Sequence, residues 1–204
     1  MQQYVLEQTQ RPFSAELRTE LIRKTIHFSI ALTPAVAALI GTGVTLALLA
    51  GGILVYTAAE RARQQGRSVP VVSRLTVLSS RSRDLNHFVL GPITLGTGAM
   101  LALMLYPDPA ASIAIYALAF GDGVASLAGK LIGRTRMRWT GGKTLEGSLA
   151  CALAVAAATW AVYPVPGVVV IIALTATALE MLPTADADNL ILPVGTGLMV
   201  VLIA

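Results

Sequence analysis

Every lysine and arginine of this chain falls in one of three places. Arg11, Arg18, Arg23 and Lys24 precede residue 28, six arginines lie between 61 and 83, and Lys130 leads a group of bases that ends at Lys143. Between these groups run long apolar stretches, and the turns at 41–43, 107–109 and 164–167 carry no base at all. Bases confined to alternate connections are the positive-inside pattern of a chain threaded through a bilayer. Composition agrees: 55% of residues are hydrophobic and 13% charged, about half the usual charged share. The net charge of +4 does not indicate nucleic-acid binding, because the bases flank apolar segments instead of forming one stripe.

The expected fold is therefore an all-α polytopic integral membrane protein of about seven transmembrane helices, with the N-terminus cytoplasmic. The spans fall at 28–40, 44–60, 88–106, 110–132, 145–163, 168–182 and 190–204, because a chain in lipid must satisfy its backbone hydrogen bonds internally. Residues 1–27 form an interfacial segment and 28–204 a catalytic domain, with cytoplasmic loops at 61–87, 133–144 and 183–189. A cell (inner) membrane location of prokaryotic type follows, and no secretory leader is expected. Within 61–87, Val71, Leu75 and Leu78 recur at helical spacing with Arg74 and Arg81 between them, the pattern of an interfacial helix. The one cysteine, Cys151, excludes an internal disulfide and reads as a small buried residue.

Four polar elements interrupt this apolar background, and the expected topology brings them to one face. In ELIRKTIH, Glu20 precedes Arg23 by three residues and Lys24 by four, and His27 follows Arg23 by four. That spacing makes a salt-laced helix; it equally sets Arg23 and Lys24 to meet phosphates, with Glu20 orienting one of them. In FGDGVASLAGK, Asp122 sits between Gly121 and Gly123 inside an apolar helix, where a carboxylate is costly unless it faces a cavity or a cation. The glycines permit a local break or close approach of a ligand, and Asp122 is the leading candidate for a Mg²⁺-linked carboxylate.

RTRMRWTGGKTLEGS carries arginines at alternate positions, starting at Arg134, which cannot share one helical face and so suggest an extended basic loop. Thr144 is placed to cap the following helix, with Glu146 in its first turn. Gly141-Gly142-Lys143-Thr144 resembles the end of a Walker A loop, but the first glycine of that pattern is Met137 here and no strand precedes it. A soluble P-loop fold is rejected, while Gly142 and Lys143 beside a helix N-terminus remain good phosphate-binding apparatus. In the fourth element, Glu180 precedes ADADNLILP, where Asp186, Asp188 and Asn189 make an oxygen-rich mouth opposite the arginine loop. Cation-bridged phosphates would account for both halves.

The four motifs ELIRKTIH, GDGVASLAGKLIG, GGKTLEGS and DADNLILP, in this order and over nearly the whole chain, resemble the family of CTP-dependent polyprenol/dolichol, phytol and diacylglycerol kinases. More remotely they are similar to the CDP-diacylglycerol synthases. The resemblance implies transfer of the γ-phosphoryl group of CTP to the hydroxyl of a membrane lipid alcohol, with Mg²⁺ as cofactor. It implies that Asp122, Lys130, Lys143, Glu146, Asp188 and Asn189 line the nucleotide and metal site, extended by Arg23, Lys24 and His27. The expected partners are CTP, the lipid alcohol and the phospholipid bilayer, with no nucleic acid; a homodimer is compatible. Rival expectations are a diacylglycerol acceptor, a phosphatidate cytidylyltransferase, or a lipid or anion transporter, against which GDGVASLAG and GGKTLEGS each occur once, without an inverted repeat.

Overall fold

Proline and glycine punctuate the apolar sequence, and the chain becomes helical between them. The computed structural model describes residues 13–67, 87–184 and 187–204. Helix α1, Phe13–Ser29, carries the polar ELIRKTIH motif and passes through a 3-10 turn, Ile30–Leu32, into α2, Thr33–Ile40. Pro34 lies in the first turn of α2, where its missing N–H costs nothing. Gly41, at φ 90°, turns the chain into α3, Thr42–Gln64. Helix α4, Gly91–Leu105, precedes α5, Ala110–Leu131, and the basic loop leads to α6, Leu145–Val162. Helices α7, Pro166–Glu180, and α8, Asp188–Ile203, follow.

Helix α5 is the axis of the molecule. Ile113, Ala114, Ile115, Ala117, Leu118 and Ala119 are all essentially inaccessible, and α1, α4, α6 and α8 pack around it. Its middle, Ala117–Asp122, is a π turn, the wide-turn irregularity that often accompanies functional sites in helices. Small residues set the helix spacings. Pro193 inside α8 has no N–H for the carbonyl of Asn189, four residues earlier. Gly98 of α4 lies against that carbonyl so closely that an added Cβ would sit 2.0 Å from the oxygen. Gly129 and Gly147 meet in the same way where α5 crosses α6.

The helices lie within a few residues of the apolar segments read from the sequence, but their reading as seven membrane spans is corrected. Among the described residues three helices are long and apolar enough to cross a membrane: Thr42–Gln64, Ala110–Leu131 and Leu145–Val162. Helices α4, α7 and α8 have 15, 15 and 16 residues, roughly 22–24 Å at 1.5 Å per residue, short of a hydrocarbon core of about 30 Å. The segment expected to cross at 28–40 is split between the end of α1, a 3-10 turn and the eight residues of α2. The buried ion pair Lys24–Asp122 ties α1 to the middle of α5, and Lys143 of the basic loop pairs with Glu180 at the end of α7. The integral-membrane location and the cytoplasmic topology rested on the count of seven and fall with it. Apolarity in this chain serves helix–helix packing as well as exposed surface, so it overcounted spans. The interfacial helix expected around Val71–Leu78 lies outside the described residues.

Candidate functional site

The polar face of α1 stacks against the π turn of α5 because Glu20, Arg23, Lys24 and His27 recur at three- and four-residue spacing. Lys24 is wholly inaccessible, and its Nζ lies 2.5 Å from Asp122 Oδ2. His27 Nε2 is 2.8 Å from the carbonyl of Leu118, inside the π turn, and 3.1 Å from the same Asp122 oxygen. A carbonyl only accepts, so Nε2 carries the proton and donates it. Burial holds His27 down at about 4, outweighing the attraction of Asp122, so at neutral pH it is an uncharged donor.

Two side chains thus aim one carboxylate. Asp122 Oδ2 is spent on Lys24 and His27, while Oδ1 receives only a long contact, 3.4 Å, from the Ser126 hydroxyl one helical turn on. Asp122 lines a cavity of about 590 Å³, within the range of small-molecule sites. On one wall Glu20 is the hub: it pairs with Arg23, and its Oε2 lies 3.0 Å from Lys130 Nζ. Burial would raise Glu20, but Arg23, Lys24 and Lys130 together hold it at about 2. The Nε of Arg23 is buried without a partner.

The opposite wall comes from the basic loop and the ends of α7 and α8. Residues 135–145 form a narrow hairpin: Arg136 bridges Thr144, and Met137 N donates to Lys143 O at 2.9 Å. Gly141 and Gly142, at φ 73° and 96°, make its turn, where only glycine is unstrained. Thr144 caps α6 by accepting from Gly147 N at 3.1 Å, as its sequence position anticipated. Lys143 reaches across to Glu180, 3.1 Å from its Oε1 and donating also to its carbonyl. Asp188 begins α8 and faces the same cavity. Burial and the proximity of Asp122 raise its carboxyl to about 6, against the pull of Lys143 and Lys24.

The structure therefore brings Asp122, Lys130, Gly142, Lys143, Glu180, Asp188 and Asn189 into one cavity together with Arg23. It does not bring all the residues expected there. Lys24 and His27 stand behind Asp122 and not in the cavity lining. Gly121 packs under Val155 and Cys151, and Gly123 under the ring of Phe28, so both glycines serve packing. Arg134 is exposed on the outside of the loop, and Glu146 accepts from Thr135 N at 3.1 Å, bracing the hairpin away from the cavity. Asp186 lies outside the described residues. Glu180 is tied to Lys143 and to Ser148.

Sequence reasoning missed Ser126, four residues after Asp122, and Arg136 and Thr140, which also line the cavity. The i,i+4 spacing signals the first; nothing in the alternating arginines singles out Arg136 from Arg134. Among the described residues no group of three or more His, Cys, Asp or Glu forms a protein-only metal cage. Mg²⁺ does not need one. It retains waters and is held through one or two carboxylates plus substrate phosphates, and Asp122 and Asp188, which both line the cavity, fit that donor set. No family model matches the chain, and neither a curated protein nor a solved structure proves similar to it.

Proposed function

We propose that this chain is a phosphotransferase that moves the γ-phosphoryl group of a magnesium-bound nucleoside triphosphate, CTP by resemblance, to the hydroxyl of an apolar alcohol. The observation that carries the reading is a pair of carboxylates, Asp122 and Asp188, facing one cavity whose walls hold Arg23, Lys130, Arg136 and Lys143. Phosphoryl transfer asks a protein mainly for positioning and for compensation of charge on the phosphate oxygens. Bound there, Mg²⁺ would supply charge neutralisation between phosphate oxygens, held by Asp122 and Asp188.

The roles divide by geometry. Lys24 and His27 engage Asp122 through Oδ2, which leaves Oδ1 with only the long Ser126 contact in a residue that lines the cavity. Arg23 and Lys130, braced by Glu20, and Lys143, braced by Glu180, are cations prepositioned on opposite walls for a phosphate chain. The Gly141–Gly142 turn brings backbone to the cavity without side chains. Glu146 braces the hairpin and does not line the cavity, so it takes no proton from the hydroxyl there, and Asp122 and Asp188 are left to the metal.

Incubation of the purified full chain with γ-labelled CTP, Mg²⁺ and a panel of long-chain prenols, phytol and diacylglycerol tests the reading. Label is expected in the organic phase with at least one alcohol. Its absence with every member removes the kinase. Transfer from α-labelled CTP to a phosphatidate acceptor would replace the kinase by a nucleotidyl transferase.

A further inference from the structure

Outside the cavity, the basic loop presents a second surface that phosphoryl transfer leaves unused. Leu131 and Ile132, at the end of α5, are 56% and 62% exposed, and Trp139, at the tip of the hairpin, is 67% exposed. Arg134 and Arg138 are exposed between them, and neither makes an ion pair among the described residues. Of the cavity's cations, Arg23, Lys130 and Lys143 each have a carboxylate partner, and only Arg136 of the same loop has none among the described residues. Within nine residues the loop thus combines three bare apolar side chains with two unpaired guanidinium groups.

We infer that this loop docks onto an anionic phospholipid surface, with Trp139, Leu131 and Ile132 entering the headgroup layer and Arg134 and Arg138 meeting lipid phosphates. Three physical features select that occupant. Indole is an amphipathic ring suited to the headgroup level. An apolar anchor plus basic residues is the two-signal combination that holds a surface segment to lipid. The guanidinium fork matches phosphate oxygens, and without an acid partner it has no competitor to displace. The same loop lines the cavity through Arg136, Thr140 and Lys143. Docking would therefore bring the cavity to the surface where an apolar alcohol exposes its hydroxyl. That consequence rests on the proposed function; the docking itself does not.

The test reads Trp139 directly. Trp160→Phe in the full chain leaves Trp139 as the sole tryptophan. Its emission is measured with vesicles of phosphatidylcholine alone and of phosphatidylcholine with about one third phosphatidylglycerol. A blue shift, and quenching by brominated phosphatidylglycerol, are expected with the anionic vesicles only. Each basic residue near such a surface contributes on the order of 1 kcal/mol, so Arg134→Gln with Arg138→Gln should weaken the response ~30-fold, and Arg134→Glu with Arg138→Glu by more. Salt at about 1 M should weaken it in the unsubstituted loop, where charges are screened within ~3 Å. Both arginines are exposed, so the paired Arg→Gln variant with an unchanged melting curve separates lost charge from lost fold. Equal responses to neutral and anionic vesicles, or a response indifferent to both charge reversal and salt, overturns the proposal. So does a shift produced by a single-stranded oligonucleotide and not by vesicles. Because no step measures phosphoryl transfer, a failure of the kinase reading leaves these outcomes interpretable, and the reverse also holds.

Discussion

Asp122 and Glu60 are both buried carboxylates with basic partners, yet only one of them is built as a site. Glu60, near the end of α3, has both oxygens engaged by Arg63, three residues on, at 2.7 and 2.6 Å, and accepts from Val89 N at 3.1 Å. Arg63 in turn donates to the carbonyl of His87. The cluster clasps the end of α3 to the chain entering α4, and Glu60 lines neither of the two main cavities. Asp122 takes its partner from 98 residues away, lines a cavity, and keeps one oxygen with only a long contact. Burial of a charge therefore does not set the proposed site apart. An unspent oxygen does, together with the distance in sequence from which it is held.

The sharpest way to break this comparison is to remove the distant partner. Lys24→Met leaves Asp122 buried and uncompensated and should cost about 3–5 kcal/mol in chemical denaturation. A loss below about 1 kcal/mol would mean that Lys24 does not hold Asp122. Next come the two acids themselves. Asp122→Asn keeps the shape but removes the charge and should lower transfer by ~10²-fold or more, on the scale of one strong transition-state contact. Glu60→Gln should leave turnover within about twofold while lowering stability by roughly 1–3 kcal/mol. If Glu60→Gln abolishes transfer in a folded protein, the distinction drawn between the two acids is wrong. Lys143→Ala should fall with Asp122→Asn, with its effect concentrated in kcat/KM for the nucleotide.

Proton linkage gives a smaller test. Transfer at limiting Mg²⁺ should decline below pH 6 as protonation of Asp188 competes with the metal, and this limb should vanish in any residual activity of Asp188→Asn. Stability follows different signs. His27, lowered from 6.5 to about 4, contributes fully above pH 6.5 and is lost as pH falls towards 4. Asp188, raised from 3.8 to about 6, contributes below 3.8 and is lost as pH rises to 6, so it offsets His27 across the same window. Glu20, lowered from 4.5 to about 2, adds a loss only below 4.5. Unfolding free energy should therefore be nearly flat from pH 6.5 to 4.5, and Asp188→Asn should uncover a decline there. The smallest effect is expected from Cys151→Ala, fully buried on α6 but without a polar role, which should leave turnover unchanged.

Much of this arrangement was legible before any coordinates. The helical segments and the cap at Thr144 follow from local periodicity and turn chemistry, whereas the gathering of ELIRKTIH, GDG, GGK and the Asp188 turn was expected from a seven-span topology that the structure corrects. The local signals failed where they could not see partners. Gly121 and Gly123 looked like ligand glycines, but a glycine beside a carboxylate is equally what lets Phe28, Val155 and Cys151 pack against α5. Glu146 looked catalytic from GGKTLEGS, and the hairpin turned it toward Thr135. The spans were overcounted because a 15-residue apolar helix has the same composition whether it faces lipid or other helices.

What the sequence by itself determined is local: where helices start and stop, which face of α1 is charged, and which residue types are available for phosphate and metal chemistry. Those depend on interactions within a few residues. Only the tertiary structure decided that Lys24 and His27 serve Asp122 instead of a ligand, that Glu20 and Glu180 brace the cavity's cations, and that Asp122 and Asp188 share one cavity. Each of those facts joins residues far apart in the chain. Whether a charge is spent on a neighbour or left for a substrate depends on which helices come together, and local spacing carries no information about that.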